Sequence, residues 1–274
     1  MNRILRDRIN GLNAIISPVK IVVAIKQVPA RDSLLRADSS GNWIDESDLS
    51  FEINEPDAYA LEAALQLKEK HGGEVVALCA GPARVSQTIR EALAKGADRA
   101  IHIDDNGVQR LDTLGIARLL AKALDGEAPD LVLTGLQSDD LGYGQTGVVL
   151  AELLGWPHST IIMQVEPKDG GIRVKREMEG GWFQHIDMPL PAVLTIQSGI
   201  SKLRYATLMG IKKAKTKEVK RLTVADLGGA ADAVLSIARV YLPHKAKQTQ
   251  MLEGSAKDVA AKLVEKLKFE VRAL

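Results

Sequence analysis

In the first half of the chain, short β-branched apolar runs are separated by longer segments whose apolar residues recur at helical spacing. Residues 20–28 (KIVVAIKQV) are almost continuously apolar, the mark of a strand covered on both faces. Residues 29–51 are polar and broken, which predicts a long loop or excursion. Asn54-Glu55-Pro56-Asp57 then reads as a helix start: a capping Asn, a proline in the first turn and acids near the positive end. That helix follows Leu61, Ala64, Leu65 and Leu67 to a stop at Gly72-Gly73. A strand is predicted over 74–80, and after Gly81-Pro82 a helix runs through Val85, Ile89 and Leu93 to Gly96. A strand over 100–103, a helix over 111–124, a strand over 131–134 and a helix over 148–154 continue the series. Strands alternating with helices at this spacing imply right-handed parallel crossovers, hence an α/β fold with an open, mainly parallel, doubly wound sheet. In such sheets ligands collect at the carboxyl ends of strands, so the loops after Val28, Ala80 and Thr134 are expected to share one crevice.

After Ile161 the pattern changes. Residues 161–165, 171–178 and 182–188 alternate apolar and polar positions, with Asp169-Gly170-Gly171 and Gly180-Gly181 as turns, which describes antiparallel hairpins. Residues 191–197 (PAVLTIQ) form another buried strand. From Gly199 the periodicity is lost and the chain turns basic, with Lys212, Lys213, Lys215, Lys217, Lys220 and Arg221 close together. Leu222, Val224, Leu227, Val234, Ile237 and Val240 recur in this segment and need burial, so it reads as an arm that packs on something else rather than a disordered linker. A terminal helix is expected over 255–267, with Val259, Leu263 and Leu267 on one face. The expected organisation is an N-terminal extension over 1–19, an α/β domain over 20–198, and a C-terminal arm over 199–274.

The segment with the most chemistry is 131–147 (LVLTGLQSDDLGYGQTG), a buried strand that runs through a glycine-rich polar loop into a helix. Backbone N–H groups and the positive end of a helix dipole then converge on one point, which attracts phosphate. Gln145 and Thr146 put hydrogen-bonding side chains at the helix start. Gly142-x-Gly144-x-x-Gly147 also spells a dinucleotide fingerprint. That fingerprint belongs in a tight turn after the first strand of a domain, however, and here eight residues separate Thr134 from Gly142. Phosphate binding survives this objection, whereas a hydride-transferring NAD site does not.

Composition narrows the function further. With 36 basic and 35 acidic residues the net charge is +1, which gives no global case for nucleic acid or an anionic membrane. The aromatic content of 4% argues against a base-stacking surface. No apolar run approaches the ~18 residues of a membrane span, and the Arg3, Arg6 and Arg8 segment lacks the features of a secretory signal. The single cysteine, Cys79, excludes an internal disulfide and lies in an apolar strand as inert core. His71, His102, His158, His185 and His244 are scattered without metal-ligand spacing, and no Gly-x-Ser-x-Gly elbow is present.

Several ordered motifs coincide with one family. The chain resembles the beta subunit of electron-transfer flavoprotein from about Lys20 to its end. The motifs are Val23-Ala24-Ile25-Lys26-Gln27, the 54–62 helix start, Gly81-Pro82 with 90–99 (REALAKGADR), the 135–147 loop and Trp156-Pro157. Further on come 176–181 (REMEGG), Pro191-Ala192-Val193 and Arg204-Tyr205-Ala206-Thr207-Leu208. The resemblance implies a heterodimer in which an alpha subunit holds most of the redox-active FAD. The beta chain would wall the flavin and bury an adenine nucleotide, usually AMP. It would be an electron carrier without independent catalysis, soluble and cytoplasmic in a bacterium. Its donors would be acyl-CoA or other dehydrogenases, and its acceptor a quinone oxidoreductase or similar protein. By the same resemblance Ala24, Asn54, Ala80, Asp140, Gly144, Gln145 and Thr146 would line the nucleotide crevice, with Gly142 and Gly147 in the same loop. Asp140 would accept from a ribose hydroxyl or position the loop. Tyr205 and Leu208 would meet a dehydrogenase, and Lys212 and Lys213 would steer acidic partners. The 139–143 loop lacks both the triple acid run of animal relatives and the Asp-Gly-Asp-Thr type of bifurcating ones, which favours AMP over a second FAD. A stand-alone ATP- or AMP-binding regulatory domain is the other reading, and it leaves the hairpins and basic arm unexplained.

Overall fold

The computed structural model describes residues 19–229, 233–243 and 249–272. Almost all of the N-terminal extension, and His244, lie outside the described residues. The strands are β1 (Val19–Ile25), β2 (Gln27–Pro29), β3 (Phe51–Ile53), β4 (Gly73–Gly81), β5 (Arg99–Asp104) and β6 (Leu131–Gly135), then β7 (His158–Lys168), β8 (Gly171–Glu177), β9 (Phe183–Pro189), β10 (Ala192–Ile196) and β11 (Val219–Leu222). The helices are α1 (Glu55–His71), α2 (Ser86–Lys95), α3 (Thr113–Leu124), α4 (Thr146–Leu154), α5 (Leu208–Ala214) and α6 (Ala256–Phe269). One nine-stranded sheet has the order β11-β5-β4-β1-β6-β10-β7-β8-β9, and β2 pairs with β3 in a small antiparallel sheet. Every pair from β11 to β7 is parallel, and the β7–β8 and β8–β9 pairs are antiparallel. This is the expected doubly wound architecture with hairpins added at one edge.

The unbroken apolar runs of the central strands have a direct cause. Ile21, Val23 and Ile25 of β1 pack with Leu61 of α1 and Ile89 of α2 on one face. Val22 of the same strand meets Leu119, Leu120 and Leu150 of α3 and α4 on the other. Both pleat directions therefore face oil, and the chain has no use for polar alternation there.

The structure corrects three local expectations. The 20–28 run is not one strand: β1 ends at Ile25, the Asp57 carboxylate takes the Lys26 N–H, and the Lys26 carbonyl accepts from Asn54 N at 2.9 Å. Asn54 precedes α1 but its side chain does not cap it. Asp139, from the distant loop, accepts from Glu55 N at 3.2 Å instead. Finally, the segment after Gly199 is not wholly aperiodic, since it forms α5 and then β11, which adds to the sheet edge beside β5. Lys217 holds this part in place, its ammonium donating to the Leu93 carbonyl at 2.9 Å and the Ala97 carbonyl at 2.5 Å at the end of α2. Elements of seven and four residues with exposed lysines are too short to show a period, and lysines on an edge strand guard against unwanted pairing.

From the end of β11 onward, Leu222, Val224 and Leu227 pack against the domain, and Asp112 accepts from Val234 N and Leu235 N at 2.7 and 2.9 Å. The Val234 side chain, expected to need burial, is nonetheless exposed, and α6 buries none of its residues. No helix among the described residues is long and apolar enough to cross a membrane.

A crevice at the carboxyl ends of the strands

The carboxyl ends of β1, β4 and β6 open into one crevice with a cavity volume of about 200 Å³. Ala24, Asn54, Ala80, Asp140, Gly144, Gln145 and Thr146 all line it. Gly142 and Gly147 do not. Gly142 turns the loop with φ +65°, and Gly147 is buried under the start of α4, where a β-carbon would stand 2.6 Å from Thr195 Cγ2 and 2.7 Å from Thr134 Oγ1. Its role is to let helix and strand touch. Gly144 sits on the wall with φ +62°, a conformation that L side chains resist.

The loop is fastened from α1. Asn54, 1% exposed, donates from Nδ2 to the Gln137 carbonyl and accepts at Oδ1 from Asp139 N, both at 2.9 Å. The carboxylate of Asp57 accepts from Lys26 N at 2.7 Å and Gly135 N at 2.9 Å, tying the ends of β1 and β6 together at the crevice floor. The Lys26 ammonium reaches across to Asp140 at 2.6 and 2.7 Å. Burial works against the Asp140 charge, but the Lys26 cation and the surrounding hydrogen bonds outweigh it and hold the carboxyl below the usual range. Of the two roles open to Asp140, its observed bonds fit loop positioning.

Gln145 supplies no side-chain cap to α4, whose first N–H groups have no acceptor from within the helix, and Gln145 and Thr146 at its start line the crevice wall. The rest of the wall was not legible as a site. Trp43, Ile44 and Phe51 come from the polar excursion, whose Trp43 Nε1 donates to Glu46 at 2.9 Å. Glu46 pairs with Arg84 at 3.0 Å, and Arg84 stacks 4.2 Å over Phe51. Only the alternation of Trp43, Ile44 and Phe51 with acids hinted at this, too weakly to read.

Burial pushes the Asp57 carboxyl up to about 7, against the two backbone donors that favour its charged form. A raised folded-state value means that ionisation costs stability: the contribution is intact below the unfolded value of 3.8 and is lost as pH rises through about 7. Wild type is therefore expected to lose up to roughly 4 kcal/mol relative to Asp57→Asn between pH 4 and 7.5. Thermal unfolding of both proteins across that range checks this, and parallel pH profiles would refute it. Burial, with the Asp57 charge adding to it, pushes the Cys79 thiol up to about 12, in keeping with inert core. Among the described residues no group of His, Cys, Asp and Glu could hold a metal ion.

The 204–214 segment lies on a different surface. Arg204 is clamped to Glu62 at 2.7 Å and Glu69 at 2.5 Å, and Thr207 caps α5 through Gly210 N at 3.0 Å. Between these anchors Tyr205 is 91% exposed and Leu208 87% exposed, while Ala214 roots the other end of α5 in the core. Lys212 and Lys213 are also exposed. This group is thus presented to solvent and does not line the crevice.

A model of the electron transfer flavoprotein domain matches residues 41–227. The chain is 39% identical over 257 residues to the electron transfer flavoprotein subunit beta of Methylophilus methylotrophus, covering 90% of this chain and 97% of that one. It is 36% identical to the same subunit of Bradyrhizobium diazoefficiens, over 93% of this chain and all of the relative. The human subunit is also 36% identical, over 90% of this chain and 97% of its own.

Proposed function

The chain belongs to the electron transfer flavoprotein family, as a beta subunit that carries electrons rather than an enzyme, and from that premise we propose that its crevice holds AMP while an alpha subunit holds most of the FAD. The observation that carries this is the convergence of Ala24, Ala80, Gly144, Gln145 and Thr146 around the uncapped start of α4. The N–H groups there would bind the phosphate, helped by the helix dipole. Ala24, Ile25, Ala80, Val108 and Leu111 offer apolar walls to a base. Lys26 is already committed to Asp140 and Arg84 to Glu46, so the positive charge suits one phosphate better than two. This favours AMP over a second FAD in the same space.

Bound FAD would supply the redox chemistry, taking electrons from a dehydrogenase, acyl-CoA or other, and passing them to an acceptor such as a quinone oxidoreductase. The part of this chain is to enclose the flavin from one side, to present Leu208 and Tyr205 to the donor, and to seat the alpha subunit on the arm. The exposed Val234, Leu235, Tyr241, Leu242, Met251 and Phe269 support that use of the arm. We place the heterodimer in the bacterial cytoplasm. Co-expression with the alpha subunit is expected to yield a complex with a flavin absorbance spectrum that a donor dehydrogenase bleaches. Failure to form the complex, or a colourless one, would overturn this.

A further inference from the structure

α5 is seven residues long and buries only Ala214, so neither its own propensity nor core packing accounts for a fixed place. Contacts with the end of α2 do. A β-carbon on Gly210 would collide with the Ala94 carbonyl oxygen, so backbone rests on backbone there. Past α5, the Lys217 ammonium donates to the carbonyls of Leu93 at 2.9 Å and Ala97 at 2.5 Å. Carbonyls of a last helical turn lack partners within their helix, and a cation is favoured beside them. Lys212, Lys213, Lys215, Lys220 and Arg221 of the same basic run are exposed, whereas Lys217 is half-buried. Burial pulls its ammonium below the ordinary lysine range, with Asp98 opposing and Lys68 and Lys213 adding to the fall. A cation turned inward on backbone carbonyls is a fastening rather than a lure for partners. Arg204, clamped to Glu62 and Glu69 of α1, fixes the entry to this segment, and Lys217 fixes its exit. Tyr205 and Leu208 stand exposed between the two.

We propose, on the reading that Leu208 and Tyr205 meet the donor dehydrogenase, that Lys217 is a positioning residue for that encounter: its hold on the end of α2, with Gly210 seated on Ala94, sets the direction in which α5 presents Leu208. Lys217 itself does not touch the donor. Released at its exit, α5 would swing about the Arg204 clamp, and the donor would have to order it on binding. The loss then falls on formation of the complex. Once the donor is bound Leu208 is in place, so flavin reduction within the complex proceeds as before.

The test is reduction of the heterodimer by a dehydrogenase active on wild type, followed over a range of heterodimer concentrations. Lys217→Met keeps the apolar stem and removes the donor group. It is expected to raise the half-saturating concentration about 5- to 20-fold and to leave the limiting rate within about twofold. The ratio to wild type should persist in about 0.5 M salt, where steering by exposed lysines is screened. Gly210→Ala, which keeps every charge, should weaken docking in the same way. In a Leu208→Ala background neither change should add more than about twofold, because both act through Leu208. Should Lys217→Met fold poorly, Lys217→Cys is compared before and after aminoethylation of its thiol, and the restored amine should restore docking. The other thiol of this chain, Cys79, is buried. Half-saturation within about twofold of wild type, a penalty that vanishes in salt, or full additivity with Leu208→Ala would overturn the role of Lys217 and leave Leu208 as the anchor. If Leu208→Ala itself has no effect, the recognition reading fails and the proposal with it.

Discussion

Replacing Asn54 with alanine is expected to weaken nucleotide binding by roughly 30- to 1000-fold while the chain stays folded. The magnitude follows from what the side chain holds. It is 1% exposed and makes two hydrogen bonds of 2.9 Å to the backbone of the 135–147 loop, at Gln137 and Asp139. Removing it leaves a carbonyl and an N–H unpaired in a poorly hydrated place, a cost of roughly 2–4 kcal/mol in total. The loop can escape that cost by moving away from α1, but it then carries Gly144 and Gln145 out of register with the start of α4. Converted at 1.4 kcal/mol per decade, the penalty gives the stated loss of affinity. Calorimetric titration with AMP checks it, alongside thermal unfolding to show that the domain persists. Unchanged affinity would mean that Asn54 does not position the loop. Asn54→Asp should be at least as damaging, because it sets a second acceptor against the Gln137 carbonyl.

The second large effect concerns electron transfer rather than binding of nucleotide. Leu208→Ala is expected to slow flavin reduction by a partner dehydrogenase about 10- to 100-fold, as truncation of a central interface anchor does. Leu208 is 87% exposed at the first position of α5, so its loss should change stability by no more than about 0.5 kcal/mol. The pairing of those two outcomes is the informative part: a core leucine would cost stability, and an idle surface leucine would cost neither. Stopped-flow reduction by a dehydrogenase active on the wild-type heterodimer reads the first, and chemical denaturation the second. A reduction rate within twofold of wild type would exclude Leu208 as the anchor. Lys212 and Lys213 stand in the same short helix, and rates there should fall with ionic strength if they steer acidic partners.

The parallel core was legible because burial on both faces writes a strong signal, as in 20–25 and 131–135, where one apolar residue follows another. The convergence of loops after β1, β4 and β6 followed from topology alone. The assignment of individual roles was harder. Asn54 has the composition of a helix cap, and only its partners, 83 and 85 residues away, reveal that it secures a loop. The pairing of Lys26 with Asp140 spans 114 residues and leaves no local trace. Gly142 and Gly147 fit a fingerprint by spacing, yet one turns the loop and the other lets α4 approach Thr134 and Thr195. Asp57 read as an ordinary acid in a first turn, and its burial depends on β1 and β6 closing over it. Trp43 and Phe51 stayed hidden because an excursion that covers a cavity needs only a few apolar residues among many polar ones.

The most direct measurement is the nucleotide content of the purified heterodimer with its alpha subunit, released by denaturation and separated by chromatography. Equimolar FAD and AMP, each matching the heterodimer, is the expected result. Two equivalents of FAD without AMP would contradict the assignment of this crevice to a mononucleotide and give it a second flavin instead.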